Sequence, residues 1–126
     1  MTEAKQELKI GDRVSDGTVI AGRSGYTGNI MYVTPEDAPL TYKFYEAQKY
    51  AGKFEAYGHD DWRLATRREL KEIFENRAAI GGFNENSSYW TSSEDDYNGA
   101  TVQDFSDGSQ GYDFKSNNNS LRLVRG

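Results

Sequence analysis

The sequence predicts an α+β domain whose strands form a mainly antiparallel sheet. Three observations carry that reading. Strand-like runs open the chain, two helical patterns fill its middle and short strands return after residue 84, which is not the βαβ alternation of a parallel sheet. Thirteen Gly against two Pro call for many tight turns. The apolar share is only 36% while aromatics reach 13%, so the core leans on a few large rings.

The elements follow in order. Residues 1–9 form a polar lead-in, and residues 10–126 are read as one domain. VSDGTVIAG (14–22) sets β-branched residues around an Asp-Gly turn, and NIMYVT (29–34) supplies the second strand of a hairpin. PEDAP (35–39) breaks the pattern. From Thr41, read as a helix cap, Phe44, Ala47, Ala51 and Phe54 recur at three- and four-residue steps. That stripe predicts a helix over 41–56, stopped by Gly58. Thr66 and Glu69 have the spacing of a capping box, and Leu70, Ile73 and Phe74 line one face beyond it. The second helix is therefore expected over 67–77, with Arg77 in its last turn, where a cation suits the helix dipole. SYWTSS (88–93), ATVQDF (100–105), GYDFK (111–115) and SLRLVR (120–125) are read as strands. SDGS (106–109) and NNN (117–119) supply the turns between the last three.

Composition narrows the function. Twenty acidic residues against fifteen basic ones give a net charge of -5, a poor basis for binding nucleic acid through its phosphates. The absence of cysteine excludes thiol catalysis, disulfides and zinc-thiolate sites. MTEAKQELKI is charged and holds no apolar run, and no stretch reaches the length of a membrane span. Synthesis in the cytoplasm without a signal peptide, and no membrane insertion, are the expectations.

The densest polar stretch, GHDDWRLATRREL (58–70), holds the single histidine. His59 lies beside a predicted helix end, where a structural or solvated imidazole is the plainer reading than a general base. Asp60 and Asp61 are adjacent and point different ways, so they do not share a proton. Asp61 and Arg63 are expected to order the loop around Trp62 by charge-assisted hydrogen bonds, with Trp62 and Leu64 as core anchors. Glu94, Asp95, Asp96 and Asn98 form the best metal hypothesis, because oxygen ligands suit calcium. The D-x-[DN]-x-[DN]-G pattern is absent, so a solvated acidic loop is preferred and no cofactor is expected. Tyr112 and Phe114 are two apart, share a strand face and are assigned to the core. Tyr97 lies in a polar loop and is the ring expected to be exposed, suited to stacking on a sugar or to a protein hot spot. Arg122 and Arg125 read as ion-paired or snorkelling strand residues. No phosphate loop, GxSxG elbow or dinucleotide fingerprint occurs.

DWRLATRREL resembles the DWRLPT-x-x-EL motif of the collagen-like adhesin (Lcl) C-terminal domain family. IGD…DGTVI (10–20), IGGF (80–83), YWTSSE (89–94), DFSDGSQ (104–110) and LRLVRG (121–126) resemble further family segments in the same order. The resemblance covers nearly the whole chain. It implies a C-type-lectin-like fold in which two helices flank the sheet, the first and last strands pair, and a long irregular region displays the binding surface. Ala65 stands where the family has Pro, and Gln103 where an apolar strand residue is expected. The EPN or QPD and WND triplets of calcium-dependent lectins are missing, so calcium-dependent sugar binding does not carry over.

The function expected from these readings is a non-enzymatic recognition module. It would bind a cell-surface glycan or protein through loops between about residues 84 and 119. Glu94, Asp95, Asp96, Tyr97, Asn98, Asp107, Asn117 and Asn118 are the candidate contacts. The expected setting is a phage or prophage virion surface, with a tail-fibre tip as the specific assignment. One alternative is a structural virion decoration or assembly piece that contacts other virion subunits or copies of itself. The other is an enzyme, which would need His59 to meet carboxylates from distant segments.

Overall fold

The computed structural model describes residues 9–126. In chain order its elements are β1 (Val19–Arg23), β2 (Ile30–Val33), α1 (Phe44–Lys53), β3 (Arg63–Leu64), α2 (Arg67–Glu75), α3 (Arg77–Ile80), β4 (Ser88–Glu94), β5 (Gly99–Asp104), β6 (Gln110–Phe114) and β7 (Leu123–Arg125). The class is α+β, as expected, but the strands divide into two antiparallel sheets. One has the order β1-β2-β7-β3, the other β4-β5-β6.

The division arises where the chain passes from one sheet to the other. The Trp90 N–H donates to the Ser120 carbonyl (3.1 Å), and the Ser120 N–H donates to that of Ser88 (2.9 Å). This single parallel bridge between Tyr89 and Ser120 is all the ladder that forms there. Leu121 and Arg122 are buried just beyond it, and the chain then enters β7. The expected pairing of first and last strands is corrected by the same course. β7 lies between β2 and β3, while β1 pairs with β2 as the predicted hairpin and stays at the sheet edge.

Three boundaries of the two expected helices differ from expectation, each for a physical reason. Helix α1 starts after Lys43, whose N–H donates to the Glu46 carboxylate (3.0 Å), and not after Thr41. Tyr42 is unavailable for the helix because it is bridged to Asn119 in both directions, at 2.9 and 3.0 Å. Helix α1 also stops at Lys53. Ala56 and His59 then exchange backbone bonds around Tyr57 and Gly58, both at positive φ. Gly58 therefore shapes a tight turn beyond the helix and does not cap it. Helix α2 starts as predicted. The Glu69 N–H donates to the Thr66 hydroxyl (3.2 Å), and the Thr66 N–H donates to the Glu69 carboxylate (2.8 Å). Replacing Thr66 with alanine is expected to cost about 1 kcal/mol, and serine should recover most of it, as chemical denaturation would measure. Helix α2 breaks at Asn76, so Arg77 opens α3. Its guanidinium still donates to the Phe74 carbonyl (3.0 Å) at the α2 end.

Two packed regions form the core. One draws Met31, Val33, Leu70, Ile73, Tyr89 and Phe105 together; the other joins Phe44, Ala47, Trp62, Trp90, Leu121 and Leu123. Both indole N–H groups are satisfied, Trp62 on the Ala56 carbonyl and Trp90 on that of Tyr42. Burying these rings without stranding their polar edge is what lets so few aliphatics suffice. Gln103 is buried and accepts from the Gln110 amide (2.9 Å), which explains a polar residue inside β5. No helix among the described residues is long and apolar enough to cross a membrane.

Candidate functional site

Strand β6 is the outer strand of the second sheet, and its side chains decide the site. Tyr112 pairs with Thr101 and Phe114 with Gly99, so both rings lie on the face of β5 opposite Ala100 and Val102. Ala100 and Val102 belong to the core; Tyr112 and Phe114 are 47% and 57% exposed. The assignment of these two rings to the core is therefore corrected. They share a strand face, but it is the outward one. Gly99 makes the arrangement possible, since a Cβ there would lie 2.0 Å from the Tyr112 ring.

Phe114 borders a cleft of about 390 Å³, lined also by Lys43, Tyr45, Glu46, Tyr97, Asn98, Lys115 and Ser116. Tyr97 comes from the loop between β4 and β5 and is 82% exposed. Tyr45 comes from α1 and is 58% exposed, because it falls beside the buried stripe of Phe44, Ala47 and Ala51. Three elements thus bring three solvent-facing rings around one depression.

Lys115 is the buried charge of this cleft, with only 6% of its surface exposed. Its ammonium donates to Glu94 Oε1 (2.6 Å) and to the Tyr45 hydroxyl (3.2 Å). It also lies 5.2 Å from the centre of the Phe44 ring and 5.0 Å from that of Tyr45. The bond to Glu94 is the main cause that holds the ammonium above its ordinary pKa, so it stays charged. An ammonium carries three donors, and Glu94 and Tyr45 take two of them.

The other sequence candidates are placed apart from one another. Tyr97 and Asn98 line the cleft, and Glu94 reaches it through Lys115. Asp95 accepts from the Thr101 hydroxyl (3.2 Å). Asp96 Oδ1 accepts from the N–H groups of Asn98 (2.9 Å) and Gly99 (2.8 Å) and from the Tyr112 hydroxyl (3.2 Å). Both carboxylates therefore serve their own loop. Asp107 sits in the turn between β5 and β6 and accepts from the Ser109 N–H and hydroxyl. A Cβ on its neighbour Gly108 would meet the Phe74 ring at 2.6 Å, which places this turn against α2 and away from the cleft. Asn117 donates to Asp113 (2.7 Å), and Asn118 is exposed beside it.

Lys43, Tyr45, Glu46, Phe114 and Lys115 were not singled out by sequence as contacts. Only Tyr45 carried a signal, a large ring off the apolar stripe of a predicted amphipathic helix. His59, by contrast, is held by Asp16 (2.8 Å) and stands edge-on to Trp62. Asp16 is pulled down to about 2, first by the Thr18 hydroxyl and also by Thr18 N–H and His59, against the opposing effect of burial. The imidazole thus ties the 14–18 turn to the 56–59 turn. Asp61 pairs with Arg125 (2.8 Å) and Arg63 with Glu69 (2.7 Å), so both order the chain around Trp62 through partners outside the loop.

No curated protein matches the chain. The model of the Lcl C-terminal domain matches residues 21–125, from β1 through β7, and the chain belongs to the Lcl C-terminal domain family.

Proposed function

We propose that this domain is a non-enzymatic recognition module, a C-type-lectin-like variant that binds a glycan or protein on a target surface. The observation that carries the reading is the cleft itself. Three exposed rings, Tyr45, Tyr97 and Phe114, line it around the buried Lys115, which is paired with the exposed Glu94. Rings offer apolar area at a low cost in conformational entropy, and a fixed ion pair offers a donor and an acceptor, the usual composition of a recognition hot spot. Binding in this reading needs no calcium, because Asp95 and Asp96 are engaged by donors of their own segment. The setting we propose is a virion surface, such as a tail-fibre tip, which a compact display domain without cysteine suits.

The test is binding of the labelled domain to candidate host cells, with and without a chelator. Tyr97→Ala and Phe114→Ala are each expected to weaken binding about tenfold or more, because each removes an exposed ring that lines the cleft. Their melting temperatures should stay near wild type, since neither ring supports the core. Wild-type binding by both variants would overturn this placement of the site.

A further inference from the structure

Resting on that reading, we infer that Tyr112 is a positioning residue of the site. It does not line the cleft, yet it holds the Tyr97 loop and the Phe114 ring in the arrangement that a ligand meets. Tyr97 and Phe114 are both exposed, so burial in the core fixes neither ring. A ring free to turn loses that freedom on binding, and affinity falls with the fraction of molecules that already hold the competent geometry. Tyr97 is the tip of a tight turn in which the Asp95 and Asp96 N–H groups donate to the Gly99 carbonyl (3.0 and 3.2 Å). Two anchors tie this turn to β6, one on each side of Tyr97. On one side the Lys115 N–H donates to the Asn98 carbonyl (2.7 Å). On the other the Tyr112 hydroxyl donates to Asp96 Oδ1 (3.2 Å), the oxygen that also takes the Asn98 and Gly99 N–H groups.

The same ring reaches Phe114, which it meets edge-on with 5.6 Å between centres and 85° between planes. Gly99 makes this double contact possible. Tyr112 pairs with Thr101 across the ladder, and Gly99 is its diagonal neighbour on the same face. With no side chain at Gly99, the Tyr112 ring lies across that position; a Cβ there would overlap its Cζ, Cε2 and hydroxyl. That course is what carries the hydroxyl to Asp96. Two substitutions separate the parts. Tyr112→Phe keeps the ring, its cover over Gly99 and its contact with Phe114, and deletes only the anchor on Asp96. Gly99→Ala keeps the hydroxyl but displaces the whole ring. The Gly99 backbone lies outside the left-handed region, so alanine fits the strand, and the half-exposed Tyr112 ring has solvent to swing into.

The labelled intact domain would be compared with both variants on the host cells used above, in a double-mutant cycle with Tyr97→Ala. Amide exchange at Asn98 and Gly99 would be followed by NMR on the free domain. We expect Tyr112→Phe and Gly99→Ala each to weaken cell binding about three- to tenfold. The loss should come from slower association with dissociation unchanged, because Tyr112 sets how many molecules are competent and does not touch the ligand. In the Tyr97→Ala background, Tyr112→Phe should cost less than about twofold, since its effect runs through Tyr97. Exchange at Asn98 and Gly99 should quicken about threefold or more in Tyr112→Phe, with the remaining β5 amides and the melting temperature near wild type. An equal loss with and without Tyr97, or faster dissociation, would make Tyr112 a ligand contact or a support of the fold and overturn the inference. Unchanged exchange would overturn it too, and needs no ligand to observe. In each of these cases Tyr97→Ala and Phe114→Ala still weaken binding, and the recognition reading stands. Cell binding indifferent to both of those variants would remove the site, and the inference with it.

Discussion

Replacing Glu69 with alanine is expected to destabilise the domain by about 3–5 kcal/mol, a fall in melting temperature on the order of 10–20 °C. Glu69 is fully buried, and every oxygen lone pair of consequence is engaged. Arg63 forks onto both oxygens (2.7 and 2.8 Å), the Ser24 hydroxyl donates to one of them, and the Thr66 N–H closes the helix cap on the other. Removing the carboxylate strands part of a guanidinium, a buried hydroxyl and a backbone N–H together. Burial pushes the Glu69 carboxyl up. The bonds from Arg63, Ser24 and Thr66 outweigh it and hold the carboxyl below its ordinary value of 4.5. A depressed value means the stabilisation is complete above 4.5 and is lost as pH falls through the lower folded value. The gap between wild type and Glu69→Ala should therefore narrow in acid. Thermal melts between pH 3 and 7 would check both size and trend; a loss under 1 kcal/mol at neutral pH would refute the assignment.

Arg122→Met should have the second largest effect, again about 3–5 kcal/mol at neutral pH. Arg122 donates to Asp37 (3.0 Å) and to the Gly81 carbonyl (2.9 Å), and lies 4.0 Å from the Phe83 ring centre. Asp37 also accepts from the Tyr89 hydroxyl. Burial raises the Asp37 carboxyl despite the bonds from Tyr89 and Arg122. A raised carboxyl is a penalty on the folded state at neutral pH that is relieved as pH falls and the group protonates. Loss of Arg122 enlarges that penalty, so the variant should regain stability relative to wild type as pH drops from 7 toward 5. Urea denaturation at those two pH values reads the difference directly. An equal loss at both would mean that packing, not the stranded carboxylate, sets the cost.

These two networks also mark where the sequence was legible and where it was not. The Thr66–Glu69 cap was readable because its partners are three residues apart, and local spacing is what a sequence displays. Arg63, six residues before Glu69, was expected to bond within its loop; its true partner required knowing that β3 exists. A two-residue strand has no period to detect, and it forms only because β7 offers it a ladder. The Thr41 cap failed through Asn119, far along the chain, which takes Tyr42 out of the helix. Tyr112 and Phe114 show the limit most plainly. Alternation fixes that they share a face, but not which face the sheet turns to water. The site had the same fate. Tyr97 and Asn98 were readable as an exposed polar loop, whereas Tyr45 and Lys115 join them only because α1 packs beside the second sheet.

The course of residues 119–125 bears on how the domain is made. This segment bridges Tyr42, crosses β4 at Ser120 and then fills the gap between β2 and β3. Until it leaves the ribosome, β3 lacks its only ladder partner, and neither packed region has Leu121, Leu123 or Val124. Contacts this distant in sequence slow folding, because loop closure precedes any gain from packing. Without this segment the β2 edge and the rings of both packed regions lie uncovered to chaperones and to neighbouring chains. Variants that weaken Leu121 or Leu123 are expected to lower soluble yield out of proportion to their effect on the finished fold.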